Sequence, residues 1–181
     1  MIRYIRIIGL FNAAIWFGMA VFFTAGVSPT FFSHKILSLF GGENSLYSRA
    51  YAGAVNVTVL EKYYYWHYIC GVIAFCHLVF EWLFGGYLIS RFKPSLLVLI
   101  CSINLICGIF LMPPLKKFQL QKYDLKAPPT LREAASSSFK TLHLISYSLN
   151  LVVIVSTGLY FYNFTNHINE QRLVIKDKIR Y

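Results

Sequence analysis

Acidic residues are scarce in this sequence, and charged residues of either sign are few. Only 7 Asp and Glu stand against 17 Lys and Arg, and charged residues make up 13 % of the 181-residue chain. Soluble domains average about a quarter charged residues. The shortage argues against a water-soluble domain. Together with 57 % apolar residues, it favours a protein of the membrane.

Signatures of enzymes are also missing. The sequence contains no HExxH, P-loop, GxSxG or dinucleotide fingerprint. The acid, base and nucleophile pattern of a soluble hydrolase is absent as well. These absences favour a protein that is not an enzyme.

Cysteines are few, and no two of the four have CxxC spacing. All four lie within apolar segments rather than loops, so a disulfide framework is not expected. We predict that they are small packing residues. They are Cys70, Cys76, Cys101 and Cys107.

The basic residues that give a net charge of +10 lie beside hydrophobic segments. Basic stretches in that position usually contact anionic lipid headgroups. No nucleic-acid motif accompanies them, so the predicted partner is the lipid bilayer and not nucleic acid. An even number of membrane spans divides the basic residues nearly equally between the two sides, and the positive-inside rule then predicts no orientation.

Four segments are long and apolar enough to cross a bilayer, which takes about 20 residues. The first is far longer than the apolar core of a signal peptide, so we predict a retained helix. A stop is predicted after the third segment, at Met112–Pro113–Pro114, since proline interrupts helices. The four predicted spans are residues 7–30, 64–89, 94–112 and 142–164.

The connecting segments complete the predicted fold. Residues 44–60 are amphipathic enough to lie along the membrane interface as a short helix. Residues 115–140 form a basic loop, and residues 167–181 form a basic tail. We therefore predict a single all-α domain over residues 1–181. It is a membrane-spanning four-helix bundle with a short interfacial amphipathic helix between the first two spans.

Polar side chains follow one stripe on the second span and one on the fourth. On an ideal helix, the stripe on the second span covers a sector of roughly 120°, and the stripe on the fourth span covers a sector of roughly 60°. Lipid does not tolerate such groups, so both stripes are expected to face the interior of the bundle. The second span contributes His67, His77 and Glu81, and the fourth contributes His143, Ser146 and Asn150.

We call the predicted inward site the polar seam and place it at the end of the bundle that carries the two long loops. Its predicted members are Arg49, Glu81, His143, Ser146 and Asn150. His143 anchors the seam in this hypothesis, and Arg49 caps it from the interfacial segment. The predicted function is packing or association within the bilayer, as a homo-oligomer or with other membrane subunits.

Two alternatives remain open from the residues alone. His67 and His143 each lie a few residues past the same membrane entrance, so with His77 they are candidate ligands of a b-type haem or of a metal. Glu81 and the histidines are instead suited to a proton relay in an oligomeric transporter or export factor. The structural alternative for each histidine is a hydrogen bond to a neighbouring helix.

Several ordered motifs resemble a known family. The first span, AIWFGMAVFFTAGVSPTFFS, resembles the opening of the transmembrane protein 205-like family, also called domain of unknown function 4149. Three further segments of this sequence resemble segments of the same family: SRAYAGAVNVTVLEKYYYW before the second span, LMPPLKKFQLQ after the third span, and FKTLHLISYSLNL on the last span. The resemblance implies a four-helix integral membrane protein without an established activity. The recurrent positions that it implies are Trp16, Gly18, Pro29, Phe32, Arg49, Gly53, Tyr64, Pro113, His143, Ser146 and Asn150.

Overall fold

A computed structural model describes residues 2–42, 45–85 and 91–178. These residues form α-helices interrupted by two π-helical segments, and no strand occurs among them. The elements are α1 (Ile2–Phe22), π1 (Phe23–Val27), α2 (Ser28–Phe31), α3 (His34–Leu39), α4 (Leu46–Gly85), α5 (Phe92–Leu105), π2 (Ile106–Leu111), α6 (Met112–Lys122) and α7 (Pro129–Lys178).

Four continuous helical rods are long and apolar enough to span a membrane. The first joins α1, π1 and α2, the second is α4, the third joins α5, π2 and α6, and the fourth is α7. The prediction of an all-α, four-helix membrane bundle is confirmed. The apolar spanning stretches are Tyr4–Phe31, Tyr47–Phe84, Phe92–Lys122 and Pro129–Thr165.

The core forms where one face of α1 meets α4 and α7. Ala13, Trp16 and Ala20 recur at helical spacing and are almost completely buried. The two alanines let neighbouring backbones approach, and Trp16 packs edge-on against Tyr160 of α7. Interfaces between membrane helices favour small residues for this reason.

All four cysteines are free, as their apolar surroundings predicted. Cys70 and Cys107 are packed in the core, and Cys101 is half-buried. Cys76 departs from the prediction because it lies on the exposed face of α4.

The second and fourth rods run parallel in a fixed register. The Tyr63 hydroxyl reaches Asn150, and the His77 ring packs against Phe164 at 5.0 Å between centroids. In each pair the two residues are 87 positions apart in the chain. Any residue of α4 is therefore level with the residue of α7 that comes 87 positions later. The first rod is antiparallel to both, because Phe23 stacks on Tyr63 at 4.3 Å while Gly9 contacts His77.

The predicted stop at Met112–Pro113–Pro114 is wrong, because the third rod continues as α6 to Lys122. Both prolines come after the π-helical turn and occupy the first positions of α6. The first N–H groups of a helix have no intrahelical partner, so a proline at that position costs no hydrogen bond. The rod can therefore continue through the two prolines. The predicted basic loop 115–140 is therefore helical except at residues 123–128.

The amphipathic segment 44–60 is not separated from the second span, because α4 runs unbroken from Leu46. No proline interrupts the sequence between residues 46 and 85, and an uninterrupted helix propagates cooperatively. The short helix that precedes it is α3, and Gly41 and Gly42, at φ 101° and 94°, form the turn between them. Residue 44, the predicted end of the second span at 89, and tail residues 179–181 lie outside the described residues.

Candidate functional site

A cavity of about 300 Å³ lies between the first, second and fourth rods, at the end of the bundle with the two long loops. We call it the long-loop cavity. Aromatic and aliphatic side chains form much of its wall, and none of the described residues that line it is Lys, Arg, Asp or Glu. Its hydroxyl and amide groups come from Thr24, Ser28, Asn56, Tyr63, Tyr64, Ser146, Tyr147 and Asn150.

A chain of hydrogen bonds joins the three rods across this cavity. The Tyr63 hydroxyl donates to Asn150 Oδ1 at 2.6 Å, and Asn150 Nδ2 donates to Thr24 Oγ1 at 2.6 Å. The Thr24 hydroxyl in turn donates to the Ala20 carbonyl of its own helix at 2.8 Å. Each donor in the chain has its acceptor, so the arrangement holds the wall in one conformation.

Asn56 leaves an acceptor unsatisfied in the same wall. Its side chain lines the cavity and is 8 % exposed, and its Oδ1 has no hydrogen-bond partner among the described residues. A buried acceptor without a partner costs about 1–3 kcal/mol. The cavity therefore presents an oxygen that favours a hydrogen-bond donor inside it.

The two π-helical segments flank the tyrosines of this wall. Phe23, the first residue of π1, stacks on Tyr63, and Gly108 of π2 lies against Tyr64 and Tyr68. The Tyr64 hydroxyl also lies 3.3 Å from Ser146 Oγ. A π-helical turn holds one more residue than an α-helical turn and often occurs at functional sites. Here the widened turns adjoin the residues that shape the cavity.

The structure divides the predicted polar seam. Ser146 and Asn150 line the long-loop cavity, and His143 lines it from a more exposed position, stacked on Phe139 at 5.6 Å. Arg49 is exposed and is not among the lining residues. Glu81 lies 18 residues beyond Tyr63 on α4, which places it roughly 27 Å away at the other end of the bundle.

The three histidines lie at three different levels. In the register of the parallel helices, His143 is level with Asn56. Asn56 precedes His67 by 11 residues, so His143 and His67 differ in height by roughly 16 Å. His77 lies a further 10 residues along α4, or roughly 15 Å. His67 and His143 therefore do not lie at matching depth, because the register of α4 and α7 places them at different heights. Within the described part of the chain, no three His, Cys, Asp or Glu residues are grouped to hold a metal.

Glu81 belongs instead to a buried charged cluster at the end opposite the long loops. Its Oε2 lies 3.9 Å from Lys93 Nζ, and the Lys93 ammonium lies 5.0 Å from the centre of the Phe164 ring. His77 and Arg6 lie close enough to interact electrostatically with Lys93 or Glu81. This cluster joins the first, second and third rods at one level.

Sequence reasoning missed several polar residues of the cavity wall. Thr24, Asn56 and Tyr63 were not singled out, and Tyr64 entered only as a recurrent position implied by the family resemblance. A usable signal existed in the helical spacing from Asn56 to Leu60 and Tyr63, which places one amide and one hydroxyl on a single face.

Four helices that are long and apolar enough to span a membrane define a polytopic integral membrane protein. Within that class, the chain belongs to the family described as Domain of unknown function (DUF4149), which matches residues 11–124. The match contains Thr24, Asn56, Tyr63 and Tyr64 and ends before α7. No curated protein and no solved structure matches the chain.

Proposed function

We propose that this membrane protein binds a small uncharged amphipath in the long-loop cavity, with a hydroxyl-bearing head inside the cavity and an apolar tail in the bilayer. The unpaired Asn56 Oδ1 is the observation that carries the proposal, because a ligand hydroxyl would supply the missing donor.

The composition of the wall supports an uncharged head. With no Lys, Arg, Asp or Glu among the described lining residues, an ionised ligand would find no countercharge. A volume of about 300 Å³ is also at the small end of the range for ligand pockets. Phe32 and Tyr147 line the cavity and are exposed, so they provide apolar surface for a tail that leaves toward lipid.

Ligand binding accounts for the geometry better than packing or association alone. Helices that serve only to pack bring their side chains together and pair their buried polar groups. Here three rods leave a cavity with an unpaired amide oxygen. The ordered motifs, from the first span to FKTLHLISYSLNL, support placing the chain among the transmembrane protein 205-like members of its family.

Monoacylglycerol should raise the unfolding temperature of the purified, detergent-solubilised protein. A fatty-acid methyl ester of the same chain length should not, because it lacks a free hydroxyl. At a concentration of 100 times Kd, a ligand stabilises the folded state by about 2.7 kcal/mol. In Asn56→Leu the apparent affinity for monoacylglycerol should fall about tenfold, because one hydrogen bond to the head is lost.

Asn163→Leu provides the matched control. The Asn163 amide donates to the Leu159 carbonyl of its own helix and does not line the cavity, so this variant should keep the wild-type response. Equal stabilisation by the methyl ester, or an Asn56→Leu variant with unchanged affinity, would contradict the proposal.

A further inference from the structure

A second recess lies further along α4, between the second and third rods. Its volume is about 300 Å³, and it shares no lining residue with the long-loop cavity. We call it the His67 groove. Its wall is mostly apolar, with Gly71, Val72 and Phe75 from α4 and Cys101 and Leu105 from the third rod. The other lining residues are Tyr68 and Asn104.

The Trp16 hydrogen bond determines which nitrogen of His67 carries the hydrogen. Trp16 Nε1 lies 2.7 Å from His67 Nδ1. An indole N–H can only donate, so Nδ1 is the accepting, unprotonated nitrogen, and Nε2 carries the hydrogen. Trp16 is itself fixed by its edge-on contact with Tyr160, which holds the imidazole in this state.

The resulting Nε2–H donor has no acceptor among the described residues. His67 is only 1 % exposed, and its Nε2 is buried without a hydrogen-bond partner. The two other polar residues of the groove are already paired, since the Tyr68 hydroxyl donates to the Asn104 carbonyl and the Asn104 amide donates to the Ile100 carbonyl. The groove thus combines an apolar wall with one buried donor, and that pairing selects an apolar molecule with an oxygen acceptor.

The depth of His67 indicates which acceptor can reach it. His67 lies five residues past Lys62, or roughly 8 Å, and 14 residues before Glu81, or roughly 21 Å. We infer that the donor lies within the hydrocarbon region, away from the ester carbonyls of phospholipids, which remain beside their headgroups. A ring carbonyl of a quinone, in contrast, is carried by a molecule that dissolves in the hydrocarbon itself.

Access to the groove is from the lipid. Val72, Phe75 and Leu105 line it and are exposed on the outer surface of the bundle. No described lining residue is Lys, Arg, Asp or Glu, so the groove offers nothing to an ionised ligand. We propose that the His67 groove binds a lipid-soluble quinone, with the His67 Nε2–H donating to one ring carbonyl. The quinone is bound without any change in its redox state.

The test uses the full-length protein in lipid nanodiscs and a benzoquinone with a short isoprenoid tail. On binding, the infrared carbonyl stretch of one carbonyl should move to lower frequency, as expected for a hydrogen-bonded carbonyl. His67→Phe should abolish this shift and weaken binding about tenfold, the loss of one buried hydrogen bond. His67→Gln should retain both properties, because its amide oxygen can accept from Trp16 while its NH₂ donates to the quinone.

A second pair of variants tests the groove without altering His67. Val72→Phe fills the groove from its lipid side and should weaken quinone binding. Ile73→Phe adds the same ring at the next position, which is exposed but does not line the groove, and should bind as the wild type. Monoacylglycerol binding should be unchanged in all four variants, so a failure here is distinguishable from a failure of the long-loop cavity.

Three results would overturn the proposal. One is a carbonyl stretch that does not move in the wild type. Another is a quinone affinity that is equal in the wild type and His67→Phe, the behaviour of simple partitioning into lipid. The third is equal weakening by Val72→Phe and Ile73→Phe.

Discussion

Replacing Trp16 with alanine should lower the free energy of unfolding by about 3–5 kcal/mol, the range for truncating a buried tryptophan. Trp16 is 1 % exposed and contacts both His67 and Tyr160 at the centre of the bundle. Its removal leaves a cavity and deprives His67 Nδ1 of its donor. Reversible unfolding in mixed detergent micelles, monitored by circular dichroism, measures the change.

Trp82→Ala is the matched control for this variant. Trp82 lies on α4 and is 68 % exposed on the outer surface of the bundle, so its truncation leaves no cavity. We expect an effect within about 0.5 kcal/mol, as for surface substitutions in general. Similar losses in the two variants would show that Trp16 does not lie in a packed core.

Glu81→Leu should destabilise the protein by about 3 kcal/mol, because it leaves the buried Lys93 ammonium without its partner. Glu81 is 8 % exposed and the Lys93 side chain 11 %, so neither charge is well solvated. Arg6 also acts electrostatically on Lys93, and the two cations repel each other once the carboxylate is removed. The measurement is again the free energy of unfolding in mixed micelles.

The double variant Glu81→Leu/Lys93→Leu separates a lost pair from a lost side chain. Replacing a whole buried pair by apolar residues is often nearly neutral, so the double variant should recover to within about 1 kcal/mol of the wild type. The Glu61–Lys116 pair is shorter, at 2.7 Å, but its side chains are 41 % and 53 % exposed. Breaking it with Glu61→Leu should change stability by about 0–1 kcal/mol. A larger loss there than at Glu81 would contradict the account.

The rods could be predicted because their signal is local. Each spanning segment is a run of apolar residues, and the bilayer requires its backbone hydrogen bonds to be satisfied within the helix. The ends of the rods were predicted less well, since the end of a helix depends on the conformation of the residues beyond it. Pro113 would stop an isolated helix, but here it comes after a π-helical turn, at the start of α6. The segment 46–60 reads as interfacial by composition, yet it forms one helix with the second span.

The candidate sites depended on register, which the sequence reflects only in part. Ser146 and Asn150 were predicted to face inward from helical spacing, and the structure places both at the long-loop cavity. His67 and His143 were expected at one depth because the predicted helix starts were close to them. The parallel register of α4 and α7 separates them by roughly 16 Å instead.

The sequence by itself determined that this is an all-α membrane protein of four spans, because apolar length and the shortage of charge are properties of each segment alone. Only the tertiary structure decided which polar groups meet. Three rods contribute the hydrogen-bonded side chains of Tyr63, Asn150 and Thr24. Three rods also contribute the charged cluster around Glu81, and two rods contribute the Trp16–His67 pair. Such contacts depend on the relative height and rotation of neighbouring helices. Packing between the helices sets both, so the sequence of a single segment does not determine them.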